Sequence, residues 1–381
     1  MNGSIRKRGK STWELTVYLG RAPQGKRRRK FVNVKGTKAE AQQKLREILS
    51  SLDKGLPVET GKVSVGDFLQ RWLKDYAVPN TRARTAERYE SDIRLHISPA
   101  LGHIPLSRLA PADIQTMEAR LLARGSSPRS VQHVHTVLRQ ALKHAMRWGI
   151  VYRNPAEGVD PPRPQRREIQ PPDADGVVQI LRGAKETPYH AVFHFMAFTG
   201  CRRGEALGLR WCDVDLENGS AAIVQTLQRL KGRGLIFQPP KSSKSRRSIA
   251  LDAQTIGMLR DHRGLQLLRQ MEIASGYDDR GLVFPNVLGG PLDPSVLTRN
   301  FEKLVRKVRL TNVRLHDLRH FHATLLLKAG THPKIVQERL GHSSIMVTLD
   351  TYSHVVPGLQ EKAASSFAEA MEEAQNKVAP V

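Results

Sequence analysis

The chain has 381 residues, 39% hydrophobic and 25% charged, which excludes a disordered chain and predicts two or three domains with their own cores. No apolar run has the length of a membrane span and the N-terminus lacks an apolar signal core, so a cytoplasmic protein with no membrane partner is expected. A net charge of +25 predicts a polyanionic partner, in practice nucleic acid, while Cys201 and Cys212 offer neither a disulfide framework nor metal-ligand spacing and are expected to be buried thiols.

Residues 1–60 carry 15 Lys/Arg against 5 Asp/Glu. Trp13, Leu15, Val17 and Leu19 alternate with Glu14, Thr16 and Tyr18, the period-two pattern of a half-buried strand, and Phe31 to Val34 reads as its hairpin partner. Thr37 and Glu40 have capping-box spacing, and Ala41, Leu45, Ile48, Leu49 and Leu52 then share one helical face. A small three-stranded sheet packed on one helix leaves its other face free for the DNA major groove. Tyr18, Arg27, Arg28 and Arg29 are the candidate DNA contacts there, and a solvated basic hairpin is the alternative.

Residues 61–154 read as a helical domain. Val65, Phe68, Leu69, Trp72, Leu73 and Tyr76 form one stripe, and further helices are expected from Thr85 through Ile93 and from Pro111 to a stop at Gly125. The clearest helix runs from Ser127-Pro128 to Gly149. Its apolar residues Val131, Val134, Leu138, Ala141, Ala145 and Trp148 step by three and four, while Arg139, Lys143 and Arg147 form a basic stripe suited to DNA. Residues 155–172 hold six prolines and predict an extended, positively charged linker. From 173 to 381 the pattern is mixed and mainly helical with a small antiparallel sheet: helices near 175–182 and 189–198, strands near 211–225 and 235–251, then helices to the end. The fold class expected is therefore multidomain α+β.

The chemistry-bearing residues lie in this last region. Thr199-Gly200-Cys201-Arg202 follows an apolar helix, so the glycine turn presents Arg202 at a helix start, where a guanidinium suits two phosphate oxygens. Arg203 reads as solvated or as a backbone contact, and Glu205 as a structural partner of an arginine. Lys241 falls in a basic turn between two strands, expected as a hairpin, where a lysine ordinarily makes only a phosphate contact. His316 and Arg319 stand at i and i+3 at a helix start and can reach one phosphate. His320 and His322 raise a metal site, rejected because no acidic or cysteine partner stands at ligand spacing. Thr331 is expected to cap a short helix from Pro333 to Leu340 that Gly341 closes, delivering His342, and Tyr352 follows ten residues later.

Arg202, Lys241, His316-x-x-Arg319, His342 and Tyr352, in this order, resemble the boxes of the tyrosine recombinases of the phage-integrase family over roughly residues 175 to 356. The blocks upstream resemble the core-binding domain (61–154) and the arm-type DNA-binding domain (1–60) of temperate-phage and mobile-element integrases. Cys201 departs from the larger apolar residue the family usually has there. The resemblance implies a catalytic domain over 173–381 that cuts DNA through a 3′-phosphotyrosine, with Tyr352 as nucleophile, Arg202, Arg319 and His342 on the phosphate, His316 as base and Lys241 as acid. It implies no cofactor, metal or ATP, because the arginines supply the positive charge. It also implies a homotetramer on double-stranded core-type and arm-type sites, exchange through a Holliday junction, and accessory bending and directionality proteins. The tail from Leu359 to Asn376, with Leu359, Ala363, Phe367 and Met371 on one face, would dock on a neighbouring protomer or on its own domain. A type IB topoisomerase and a non-cutting DNA-binding regulator are the competing readings.

Overall fold

The computed structural model describes residues 3–21, 27–53, 63–165, 171–240, 245–352 and 359–378; side chains at 19–21, 27–30, 51–53, 350–352, 359–363 and 376–378 lie outside the description. The chain divides into two compact units, Met1–Arg166 and Arg167–Val381.

In the first unit, β1 (Gly3–Lys7), β2 (Thr12–Arg21) and β3 (Arg27–Lys35) form an antiparallel sheet in that order. Alternation works as expected. Leu15 and Val17 are buried and pack with Trp13, Ile5, Val32 and Val34 against Ala41, Leu45, Ile48 and Leu49 of α1 (Lys38–Asp53). The capping box at its start is formed: Glu40 Oε2 accepts from the Thr37 amide at 2.7 Å and Thr37 Oγ1 from the Glu40 amide at 3.3 Å. Tyr18, opposite Arg29, and Phe31, opposite Thr16, belong to the other register, and Phe31 is exposed.

The helical part has its own core. α2 (Val65–Trp72) runs through a π-helical turn, Leu73–Ala77, into α3 (Val78–Asn80), and α4 (Ala83–Asp92) runs through a second, Ile93–Ile97, into α5 (Ser98–Leu101). Helix through Leu73, Tyr76 and Ile93 agrees with the stripes read from the sequence, whereas the π geometry of the two turns has no periodic signal. α6 (Pro111–Ala123) and α7 (Pro128–Arg147) follow, the latter capped by Ser127 Oγ on the Ser130 amide. α7 buries the predicted stripe except Trp148, which is exposed at the end of the helix, and buries Val137, Leu142, His135 and His144 as well; His144 Nδ1 accepts from the Trp72 indole at 2.7 Å. Arg139, Lys143 and Arg147 remain exposed.

The linker expectation needs correction at its start. Asn154 accepts from the Ala156 amide and donates to the Arg139 carbonyl, folding Pro155–Gly158 into a 3-10 turn; Ala156 and Val159 join the helical core. Proline at the first turn position needs no amide hydrogen there, so it fits this turn rather than forbidding it.

The second unit is built around α8 (Ala174–Ala184), α9 (His190–Thr199), α10 (Arg203–Leu207), α11 (Ala253–Ile273), α12 (Pro294–Lys307) and α13 (Asp317–Lys328). Their buried faces, with Phe193, Phe195, Phe284 and Phe301, make one core. α14 (Pro333–Leu340), α15 (Ile345–Tyr352) and α16 (Leu359–Val378) complete the chain. No helix among the described residues is long and apolar enough to cross a membrane.

Two strand expectations change. Residues 211–225 do not form one strand: Trp211–Asp213 is a 3-10 turn, followed by β4 (Val214–Asp215) and β5 (Ser220–Ile223). Asp215 Oδ1 accepts from the Glu217 and Asn218 amides, and Gly219 takes φ +63°, which reverses the chain between them. Nor does the stretch around Lys241 form a hairpin. β7 (Gly234–Gln238) pairs with β6 (Thr226–Leu230), whereas β8 (Arg247–Ala250) pairs with β5 in a separate sheet. Cys201 is fully buried, which pushes its thiol pKa up to about 12, but Cys212 is exposed, since Trp211 and not its neighbour faces the core.

Candidate active site

Four chain segments meet beside the N-terminal end of α13. The first is the exit of α9. Gly200 closes that helix with φ +65°, and a Cβ there would come within 2.7 Å of both His322 Cδ2 and Leu340 Cδ2, so only glycine lets the α9 and α14 ends approach so closely. Arg202 follows as the N-cap of α10. Its amide donates to Glu205 Oε2 at 2.9 Å, its Nη1 to Glu205 Oε1 at 2.8 Å and its Nη2 to the Gly341 carbonyl at 3.4 Å. The Arg202 side chain is 40% exposed, so it is held yet reachable by a ligand.

Arg319 lies deeper, 2% exposed, and spans two segments: Nη1 donates to the Gly200 carbonyl and Nη2 to the Leu340 carbonyl, both at 2.8 Å. The fork geometry of a guanidinium suits this bridge between two chain ends. His316, the N-cap of the same helix, sits at an exposed position with its ring edge-on to His320 at 5.0 Å. Gly341 ends α14 with φ +67°; the cap of that helix start is His332, whose Nδ1 accepts from the Lys334 amide, rather than Thr331. A two-residue reach to the second amide suits the imidazole. His342 is then fixed by its amide to the Gln337 carbonyl, by Gln337 Nε2 to its own carbonyl at 2.6 Å, and by Nδ1 against Thr348 Oγ1 at 2.8 Å.

The electrostatics reflect this convergence. Burial first, then Arg319, Arg202, His320 and Arg247, pull the His342 pKa down to about 3. Burial, then His320, Arg319 and Arg202, bring His316 to about 4, with Asp317 opposing. Both imidazoles are thus neutral near neutral pH and able to accept a proton or share a hydrogen bond.

His322 serves the scaffold. Its Nδ1 lies 3.1 Å from the Ala197 carbonyl and its Nε2 3.0 Å from Arg339 Nε, and burial with the Arg339 charge lowers its pKa to about 4. Arg203 turns to the Pro294 carbonyl and Thr298 of α12. Tyr352 ends α15, its side chain outside the description, and Lys241 lies outside the described residues altogether. The structure therefore brings together Arg202, His316, Arg319 and His342 of the six predicted residues. Among the DNA-contact candidates Arg139, Lys143 and Arg147 are exposed on α7, and Tyr18 is half-buried in β2. Arg27, Arg28 and Arg29 start β3 with side chains outside the description. A cavity of about 1280 Å³ between α8, α9 and α11 includes none of the clustered cations and is not the site.

Sequence reasoning missed Arg247 and Arg339. Arg247 Nη2 donates to Glu205 Oε2 at 2.9 Å, and Arg339 donates to the Ala250 and Phe198 carbonyls. One signal was present: Arg247 shares a strand face with buried Ile249, two residues on.

A buried guanidinium, a second one beside it and two neutral imidazoles, held at the meeting of helix ends, form an arrangement that suits a phosphodiester. The phage integrase family matches residues 172–357, and the N-terminal SAM-like domain of phage integrases matches residues 64–122. A tyrosine recombinase XerC-like protein of Caldanaerobacter subterraneus is 30% identical over 379 residues, covering 95% of this chain and 97% of that protein. An integrase of Streptomyces ambofaciens is 30% identical over 352 residues, covering 89% and 88%. In fold, the chain resembles the Tn1549 transposon integrase in complex with a circular intermediate DNA, with a TM-score of 0.66, 20% identity and coverage of 81% and 100%. It also resembles a lambda integrase tetramer bound to a Holliday junction, with a TM-score of 0.56, 20% identity and coverage of 89% and 95%. The chain belongs to the phage integrase family of tyrosine recombinases and is a DNA-strand-transferring enzyme.

The depressed histidines make a stability prediction. In the unfolded chain an imidazole titrates near 6.5, whereas folded His194, His316 and His322 titrate at about 4 and His342 at about 3. Between those values the unfolded state binds more protons, so stability is full above about pH 6.5 and falls as pH drops through the window. Thermal unfolding followed by circular dichroism is expected to show a midpoint that decreases from about pH 7 to about pH 5. A midpoint unchanged over that interval would contradict the assignment of imidazoles that stay neutral in the folded chain.

Proposed function

We propose that this enzyme is a site-specific integrase of a temperate phage or integrative mobile element, cutting and rejoining double-stranded DNA through a 3′-phosphotyrosine at Tyr352. The observation that supports the reading is Arg319 bridging the Gly200 and Leu340 carbonyls, which ties the helix that carries it to the two segments that lead to Arg202 and His342. The pentavalent transition state bears more negative charge than the diester, so cations fixed in advance stabilise it preferentially. The Tyr352 hydroxyl attacks phosphorus, the 5′-oxygen leaves, and the bond energy is kept in the protein–DNA link, so no ATP is consumed. Neutral His316 takes the phenolic proton, Lys241 protonates the leaving oxygen, and His342 adds a hydrogen bond to the phosphate. Guanidinium charge takes the place that a divalent ion holds in many nucleases.

Attack by the 5′-hydroxyl of a second duplex reverses the step and exchanges strands. The Holliday-junction tetramer of lambda integrase supports pairwise exchange by four protomers here. Residues 1–60, with Tyr18, Arg27, Arg28 and Arg29, would read arm-type sites. Residues 61–154, with Arg139, Lys143 and Arg147 and with residues 155–159 folded onto their core, would hold the core-type site, joined by residues 160–172 to the catalytic domain at 173–381. Exposed Phe367 and Met371 on α16 favour a tail that docks on a neighbouring protomer. Bending and directionality proteins and a place of action in the bacterial cytoplasm complete the reading.

The test uses plasmids carrying the element's attachment site. Sequence-dependent exchange between two plasmids supports an integrase; relaxation without sequence preference supports a topoisomerase, and binding without nicking a regulator.

A further inference from the structure

Strand β8 runs beneath the site, and its first residue, Arg247, is a buried strut. The Arg247 side chain is 7% exposed and that of Glu205 is 3% exposed, and each is bound to the other within the protein. Arg247 reaches three acceptors at once: Nη2 donates to Glu205 Oε2 at 2.9 Å, Nε to the Arg339 carbonyl at 2.6 Å and Nη1 to the Ser245 carbonyl at 3.2 Å. Two of these lead into the phosphate cage. The other oxygen of Glu205 holds Arg202, and the Arg339 carbonyl is the neighbour of the Leu340 carbonyl that receives Arg319. The turn itself rests on this guanidinium, since a Cβ on Gly341 would come 2.9 Å from Arg247 Nη1.

Burial alone would raise the pKa of Glu205; the charge and hydrogen bond of Arg247, then those of Arg202, overturn this and hold it at about 2. The carboxylate is therefore a fixed anion shared between two arginines, one buried and one facing the ligand. A lysine in place of Arg247 keeps the charge but cannot span three acceptors with one planar fork.

We propose that Arg247 is a positioning residue for strand transfer, fixing Arg202 through Glu205 and the 340–342 turn through Arg339. It thereby ties the strand that follows the Lys241 segment to the geometry of the phosphate cage. The proposal rests on the roles given above to Arg202, Arg319 and His342.

The experiment is single-turnover cleavage of a nicked attachment-site duplex by the full chain, with wild type, R247K and R247M, measured beside duplex binding. Two substrates are used: the natural diester, and one with a neutral methylphosphonate at the scissile position, which asks less of the arginines. On the diester R247M is expected to bind as wild type and to cleave about 10- to 100-fold more slowly, by analogy with the loss of a partner that orients a metal-ligating side chain. R247K falls between them, and the deficit shrinks on the methylphosphonate. A folded R247M that cleaves at the wild-type rate overturns the proposal, as does an equal deficit on both substrates, which marks a packing role only. Should R247M not fold, R247K decides: a wild-type rate on the diester overturns the proposal. Absence of any covalent adduct with wild type sinks the underlying site reading, whereas normal adduct formation by both wild type and R247M sinks this inference alone.

Discussion

Tyr352→Phe is expected to bind the attachment site with wild-type affinity and to form no covalent adduct. The substitution removes one oxygen at the C-terminal end of α15 and keeps the ring, so the cage of Arg202, Arg319 and His342 is untouched. Binding should persist because charge and phosphate contacts across the chain supply it, and those are unchanged. Cleavage, by contrast, should fall on the order of 10⁶-fold, the scale of removing a nucleophile that acts within a unit. Gel retardation reads the first quantity and a denaturing gel of a nicked substrate the second. Undiminished adduct with the phenylalanine variant would remove Tyr352 from the mechanism.

Arg319→Ala carries the second large effect, and it is double. Its guanidinium is the donor shared by the Gly200 and Leu340 carbonyls, both at buried residues, and each carbonyl left without a donor costs about 1–3 kcal/mol. The same loss loosens the ends of α9 and α14 that carry Arg202 and His342. Chemistry should suffer further, since removing one preorganised donor to a developing anion costs about 10²–10³ in rate. Arg319→Lys separates the two effects: it restores a charge in place of the fork, so cleavage should stay low while the unfolding midpoint moves back part of the way. Equal cleavage by Arg319→Lys and wild type would mean that charge alone, without the bridge, builds the site.

What could be read from the sequence was what local physics decides. The Thr37–Glu40 capping box, the Ser127 start of α7, the glycine exits at Gly200 and Gly341, and the placing of His316 and Arg319 on one helix start are all set by residues within four positions of one another. The matching order of polar side chains, not periodicity, carried the site. What escaped depends on partners far along the chain. Arg247 stands in a basic run next to Arg246 with nothing nearby to mark it out, and its anion is Glu205, 42 residues away. β7 and β8 flank a basic turn as the strands of a hairpin would, yet each finds its neighbour elsewhere, in β6 and β5. The π turns at Leu73–Ala77 and Ile93–Ile97 follow packing and leave no residue signature. Asn154 shows the reverse error: a proline-rich stretch read as extended is folded back by one side chain that satisfies two backbone groups.

The most direct measurement is the identity of the protein–DNA bond. Wild type trapped on a nicked attachment-site duplex in the presence of chelator, digested with protease and examined by mass spectrometry, should yield a nucleotide 3′-phosphate on the peptide containing Tyr352. Linkage to a different residue, attachment through the 5′ end, or an adduct that forms only when divalent cations are restored would contradict the account.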